Sequence, residues 1–158
     1  MLRGLLSKLK PEARECVAFV EWFHVAHPRE YKHLTFLPMG HAQKFEKIIR
    51  AAMGAKPGVS DYGLFLRAGP YAGLWLEGKA TGQTWAAVST EQRQWLALME
   101  GQGFFPAVGY GFDHMRQIAK CYLAARTEPE ALQALADHHF RNRISAKRLA
   151  AVPHEIAA

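Results

Sequence analysis

The sequence predicts an α/β fold in which a mixed sheet carries helices on its faces. Apolar residues recur at helical spacing in four long segments, and three short runs rich in apolar and aromatic residues are typical of strands. The predicted helices cover residues 11–26, 41–53, 90–102 and 113–125, and the predicted strands cover residues 62–66, 71–76 and 104–110. The order helix, helix, strand, strand, helix, strand, helix fits one sheet with helices on both sides.

Proline and glycine set the boundaries of the first two helices. Pro11 suits the first turn of a helix, and Gly54 closes the second helix as a C-terminal glycine commonly does. Between them, residues 27–40 contain Pro28 and Pro38, so we expect this segment to be irregular.

The two central strands are predicted to form a hairpin around a turn at residues 68–70. Asp61 precedes the first strand, and Glu77, Gly78 and Lys79 end the second. Side chains alternate along a strand, so Glu77 and Lys79 project from the same face. We expect both side chains to be exposed to solvent at the strand edge. Two carboxylates at one strand edge suit a hard cation such as Mg²⁺ or Mn²⁺. A neighbouring lysine can orient a phosphate or a water.

Capping signals mark two later helices. Ser89 and Gln92 fit a capping box at the start of the third helix, and Thr127 and Glu130 fit another that opens a fifth helix. Residues 141–158 are basic and then rich in small residues. We therefore predict one main domain, residues 11–125, and a helical basic appendage, residues 126–158.

Length and charge narrow the class of protein. A chain of 158 residues is long enough for one domain with a core, and no apolar stretch reaches membrane length, so we expect no membrane partner. The formal net charge of +6 favours a polyanionic partner, nucleic acid first, although mild basicity is also common without a specific reason. Two cysteines without partner spacing, and no signal peptide, indicate a reducing, cytoplasmic compartment.

Basic residues cluster just before the hairpin. Lys44, Lys47 and Arg50 recur at three-residue intervals on one face of the second predicted helix, and Lys56 follows it. We predict that these four side chains contact phosphates.

The histidines do not predict a zinc site. The closest clusters are His24 with His27 and His138 with His139, and neither has cysteine partners or a His-Glu-x-x-His pattern. Adjacent helical residues point apart, so His138 and His139 should not face one metal.

A series of separately placed motifs resembles a known family. Glu12 stands ten residues before Trp22, and Gly103 precedes the last predicted strand. The other motifs are Lys-Pro-Gly-Val-Ser-Asp at 56–61, Tyr-Ala-Gly-Leu-Trp-Leu-Glu-Gly-Lys at 71–79, Ser-Thr-Glu-Gln-Arg-Gln-Trp at 89–95 and Val-Gly-Tyr-Gly at 108–111. Over residues 12–123 this series resembles the virus-type replication-repair nuclease (VRR-NUC) domain, a branch of the restriction-endonuclease-like fold.

The resemblance implies a Mg²⁺- or Mn²⁺-dependent DNA nuclease. Asp61, Glu77 and the backbone carbonyl of Gly78 would be metal ligands, and Lys79 would act on the attacking water and the phosphate. Gln92 and Glu12 would be further residues of the site. Small stand-alone members resemble homodimeric junction-resolving enzymes, many of them phage-encoded, so the resemblance implies branched DNA, a homodimer, and a bacterial or phage-infected cell.

Several positions depart from the family pattern. Ser60 precedes Asp61 where a proline is usual, Cys16 occupies the place of a glutamine, and Met39-Gly40 replaces an Asn-Gly pair. Capping of the third helix is an alternative explanation for Gln92. For Glu12 the alternative is a favourable interaction of its carboxylate with the N-terminus of the first helix. Two alternatives stay open: a catalytically silent DNA-binding protein on the nuclease fold, and an RNA-processing nuclease.

Overall fold

A computed structural model describes residues 9–37 and 44–142 of the chain; of residues 44–47 it describes the backbone only. Within these ranges four strands form one sheet in the order β1-β2-β3-β4. The strands are β1 (Leu34–Phe36), β2 (Tyr62–Leu64), β3 (Leu74–Lys79) and β4 (Phe105–Tyr110). The helices are α1 (Pro11–Ala26), α2 (Lys44–Ala52), α3 (Thr90–Gly101), α4 (Phe112–Ala124) and α5 (Ala131–Ala136). The predicted α/β class, a mixed sheet flanked by helices, is confirmed.

The pairing of the strands changes from antiparallel to parallel at β3. Strands β1, β2 and β3 pair antiparallel, whereas β3 and β4 are parallel and are joined through α3. Gly78 pairs with Gly109 and Lys79 with Tyr110 in that parallel register. The carboxyl ends of β3 and β4 therefore lie side by side at the same end of the sheet, and α4 begins immediately beyond β4.

Strand β3 is covered on both faces. On one side, α1 and α4 pack against the sheet in the main core, which includes Phe19, Leu76, Phe105, Met115 and Tyr122. On the other side, α3 packs over a second apolar cluster that contains Trp75, Val88, Leu96, Val108 and Phe140. Every residue of β3 is buried as a result. Our expectation of a solvent-facing Glu77 and Lys79 was wrong, because α3 covers the face from which they project.

The segment predicted to be irregular contains a strand. After a single 3₁₀ turn at Glu30–His33, β1 pairs with β2, with Leu34 opposite Leu64. Three residues are too few to show an alternating pattern, and the pairing depends on β2 rather than on local sequence. The hairpin itself is confirmed, with an Ala68–Tyr71 bridge in its connection.

The chain after α4 also packs onto the sheet as far as the description extends. Leu135 and Phe140 are buried, and His139 forms a bridge with Ala107 of β4. The predicted capping box at Thr127 and Glu130 was wrong: the Thr127 hydroxyl donates to the carbonyl of Ala124 at 3.4 Å, and α5 starts at Ala131 without a side-chain cap.

The division into a domain of residues 11–125 and an appendage of residues 126–158 stays a prediction, and residues 143–158 lie outside the described part. No helix in the described ranges has the length and apolar character needed to cross a membrane.

Candidate active site

The Glu77 carboxylate is the centre of the candidate site. Its Oε1 accepts hydrogen bonds from Lys79 Nζ, at 2.8 Å, and from Gln92 Nε2. The side chain is 1% exposed, and its other oxygen, Oε2, is also buried. No hydrogen-bond partner for Oε2 lies among residues 9–37 and 44–142. A buried carboxylate oxygen without a partner is costly, so this atom is suited to receive a proton or a cation.

Burial changes the acidity of this pair of residues. The pKa of Glu77 is raised to about 8, first by burial and second by the nearby Asp61 carboxylate, while Lys79 opposes the change. For Lys79, burial acts to lower the pKa, but the carboxylates of Glu77, Glu12 and Asp61 outweigh it and raise the pKa overall. Lys79 therefore keeps its positive charge, and Glu77 takes up a proton at a higher pH than an exposed glutamate does.

Asp61 is tied to the strand that carries Glu77. Its Oδ2 accepts a hydrogen bond from the backbone N–H of Gly78 at 2.8 Å. A Cβ at Gly78 would lie 2.9 Å from Cys16 Sγ and 3.2 Å from Asp61 Oδ2, so a larger residue here would displace its neighbours. Sequence reasoning gave Gly78 a carbonyl role; the structure shows its N–H in use and explains why the residue is glycine.

Gln92 has both of the roles considered for it. The capping box is formed: Gln92 N donates to Ser89 Oγ at 3.2 Å, and Ser89 N donates to Gln92 Oε1 at 2.9 Å. The remaining amide group, Nε2, donates to Glu77. One side chain thus connects the first turn of α3 to the central carboxylate on β3.

Helix α1 brings Glu12 to the same region. Glu12 is half-buried and lines a groove that Cys16 and Asp61 also line. Its charge contributes to the raised pKa of Glu77 and of Lys79. Burial raises the pKa of the Cys16 thiol to about 12, so Cys16 is a neutral packing residue next to the carboxylates.

The end of β3 is held by residues that sequence reasoning missed. Glu15 on α1 accepts hydrogen bonds from Thr81 N at 2.9 Å and Thr81 Oγ1 at 2.7 Å. Gly111, at φ +84°, donates its N–H to the carbonyl of Lys79 at 2.7 Å, and a Cβ there would collide with Thr81 Oγ1. These contacts fix the backbone of Lys79. No local pattern signals them, because the three elements meet only in the folded chain.

The predicted phosphate contacts are only partly described. Arg50 is half-buried near the end of α2, and Lys56 is exposed in the following loop. The side chains of Lys44 and Lys47 lie outside the description. The role of all four stays a prediction.

The adjacent histidines point apart, but they lie beyond α5 in a turn and a β-bridge and not in a helix as predicted. His138 Nδ1 lies 3.2 Å from His114 Nε2, while His139 Nε2 lies 3.2 Å from Glu100 Oε1. Burial lowers the pKa of His114 to about 4, so this residue is neutral at physiological pH.

The donor atoms of the site fit a hard divalent cation. In the described part of the chain, no group of three or more His, Cys, Asp or Glu side chains could hold a metal ion. A cation would therefore be held by two carboxylates, Asp61 and Glu77, with the carbonyl of Gly78 and water completing the shell. An all-oxygen shell with few protein ligands suits Mg²⁺ or Mn²⁺, and the unpartnered Glu77 Oε2 supplies a ligand atom.

A comparison with solved structures identifies the fold. The chain is similar to a structure titled "VRR_NUC domain protein", with a TM-score of 0.61 and 20% sequence identity, over 75% of this chain and 92% of that chain. The expected resemblance to the VRR-NUC domain is thus confirmed at the level of the fold, which is restriction-endonuclease-like. No family model matches the chain, and no curated protein matches it.

Proposed function

We propose that the protein is a nuclease of the VRR-NUC type that hydrolyses phosphodiester bonds in DNA with Mg²⁺ or Mn²⁺. The observation that carries the proposal is the buried Glu77 carboxylate close to Asp61. One of its oxygens has no hydrogen-bond partner in the part of the chain that the structure describes, and the other accepts a hydrogen bond from Lys79. In a purely structural ion pair, the buried carboxylate oxygens are usually both hydrogen-bonded. The fold shared with a VRR_NUC domain protein supports the same conclusion.

Each residue of the candidate site would have its own role in phosphodiester hydrolysis. Asp61 and Glu77 would hold the metal, which supplies positive charge for the phosphate and activates water. Lys79 would stabilise negative charge that develops on the phosphate, since its ammonium group stays charged and is held in place by Glu77. Gln92 fixes the rotamer of Glu77 through its amide. Glu12 would be a further acidic residue at the groove that reaches Asp61.

The narrower proposal is a homodimer that acts on branched DNA in the cytoplasm of a bacterial or phage-infected cell. The net charge of +6 favours a polyanionic substrate. Met53 and Ile48 are 83% and 60% exposed, which gives the region of α2 an apolar surface suited to a second copy. A two-fold dimer presents two sites related by the symmetry of a four-way junction.

Cleavage of a substrate panel tests the proposal. Linear, flap and four-way DNAs, with matched RNAs, are incubated with Mg²⁺, Mn²⁺ or EDTA. We expect cleavage of DNA with either metal, no cleavage with EDTA, and no cleavage by the Asp61→Asn variant. Tight binding to DNA without cleavage in any metal would favour the catalytically silent alternative, and cleavage of RNA alone would favour the RNA-processing alternative.

A further inference from the structure

A large apolar groove runs along α1 beside the strands β1 and β2. It has a volume of about 550 Å³, and its floor includes Val17 and Val20 of α1 together with Tyr62 of β2. Phe36, on the edge strand β1, lines it while remaining 52% exposed. A groove of this size with such a floor is costly to leave in contact with water, so it is suited to an apolar occupant.

The chain itself enters at one end of this groove. Leu9, the first described residue, lines the groove, and the backbone bends there. Lys10 is extended, with φ −60° and ψ 152°, before α1 begins at Pro11. The described chain therefore begins at a wall of the groove, next to the residues that line it.

The sequence before Leu9 has the right pattern for an occupant. Leu2, Leu5, Leu6 and Leu9 follow the spacing i, i+3, i+4, i+7, which places them on one face in helical conformation. Eight residues in that conformation would span about 12 Å, and the groove follows α1 from Glu12 to Glu21 for about 14 Å.

The charges are also complementary. Among the described residues, the groove is lined by three carboxylates, from Glu12, Glu21 and Asp61, and by one basic residue, Lys10. Residues 1–8 carry two basic side chains, Arg3 and Lys8, and no acidic ones. A basic segment with an apolar face therefore matches an apolar groove with an acidic rim.

We propose that residues 1–8 fold back over α1 and occupy this groove in the same chain. Leu2, Leu5 and Leu6 would cover the apolar floor, and Arg3 and Lys8 would face the acidic rim. The docking does not depend on nuclease activity, so it can be tested separately.

Two full-length variants test whether the leucines cover the groove. Leu5→Glu/Leu6→Glu places charge on the leucine face, whereas the control, Gly4→Glu/Ser7→Glu, makes the same charge change off that face. We expect the leucine-face variant to bind an apolar-surface dye several-fold more strongly than the wild type, and the control to match the wild type. Equal dye binding by all three proteins would overturn the proposal.

A cysteine pair tests which chain supplies the segment. In a background with Cys16→Ala and Cys121→Ala, Leu6→Cys is combined with Val17→Cys and the protein is oxidised. We expect a disulfide within one chain, seen as a monomer without free thiols on a non-reducing gel, and much less of it when Ser7→Cys replaces Leu6→Cys. A disulfide between chains would mean that a second copy fills the groove. Equal disulfide yields from both cysteine pairs would mean that the leucine face does not bind the groove in one defined orientation. Either result would overturn the proposal.

Discussion

Replacing Glu77 with glutamine should stabilise the protein while removing its ability to bind metal. Burial raises the pKa of Glu77 to about 8 from an ordinary value of 4.5. The unfolded chain, in which the carboxyl group ionises freely near pH 4.5, is therefore favoured increasingly as the pH rises to about 8. At pH 7 this effect is on the order of 3 kcal/mol, since one pKa unit corresponds to about 1.4 kcal/mol. Glutamine has a similar shape and does not ionise, so Glu77→Gln should recover that amount.

The assay is chemical unfolding without divalent metal at pH 5 and pH 7. At pH 5 the stabilities of the wild type and Glu77→Gln should differ by only about 1 kcal/mol, because pH 5 lies just above the 4.5 at which the carboxyl group ionises in the unfolded chain. At pH 7 the variant should be more stable, with a melting temperature higher by about 6–12 °C for a chain of this size. Glu128→Gln, at an exposed position before α5, serves as the matched control and should match the wild type at both pH values.

Addition of Mn²⁺ should reverse the ranking. The wild type should gain stability with rising metal concentration, and more at pH 8 than at pH 6, because the metal competes with the proton on Glu77. The variant should gain little and should not cut DNA. Equal stability of the two proteins at pH 7 would refute the inference that burial suppresses the ionisation of Glu77. A variant that binds Mn²⁺ like the wild type would refute the assignment of Glu77 as a metal ligand.

Three further predictions concern the surroundings of the site. Gln92→Ala should lower the rate of cleavage more than the affinity for DNA, measured under single-turnover conditions; a lower melting temperature alone, from a lost cap worth about 1 kcal/mol, would leave only the capping role. Arg50→Ala and Lys56→Ala should each reduce the slope of log affinity against log salt by about 1, measured by fluorescence anisotropy, and unchanged slopes would mean that neither contacts phosphate. Light scattering should give a mass near twice 17.7 kDa, and Met53→Glu should shift it to the monomer; a monomeric wild type would remove the dimer proposal.

The sequence alone was sufficient to locate the central motif. The positions beside two apolar runs identified Asp61, Glu77 and Lys79. The alternation of side chains along a strand predicted that Glu77 and Lys79 share a face, and the 2.8 Å distance between Lys79 Nζ and Glu77 Oε1 agrees with it. The capping box of Ser89 and Gln92 was also predicted, since it depends on residues only three apart. Local geometry determines all of these features, so they can be inferred without knowing the fold.

The tertiary structure decided how this motif is used. The burial of Glu77 depends on α3 covering one face of β3, and the hydrogen bond from Gln92 depends on where α3 begins relative to that strand. The strand β1 and the contact between Glu15 and Thr81 were missed for the same reason, because each requires partners 26 or more residues away. Phe105 is fully buried beside Tyr71 and Tyr122, which lie in other elements of the fold. Sequence patterns fix which residues can share a strand or a helical turn, whereas burial and unpartnered atoms arise only when distant elements pack together.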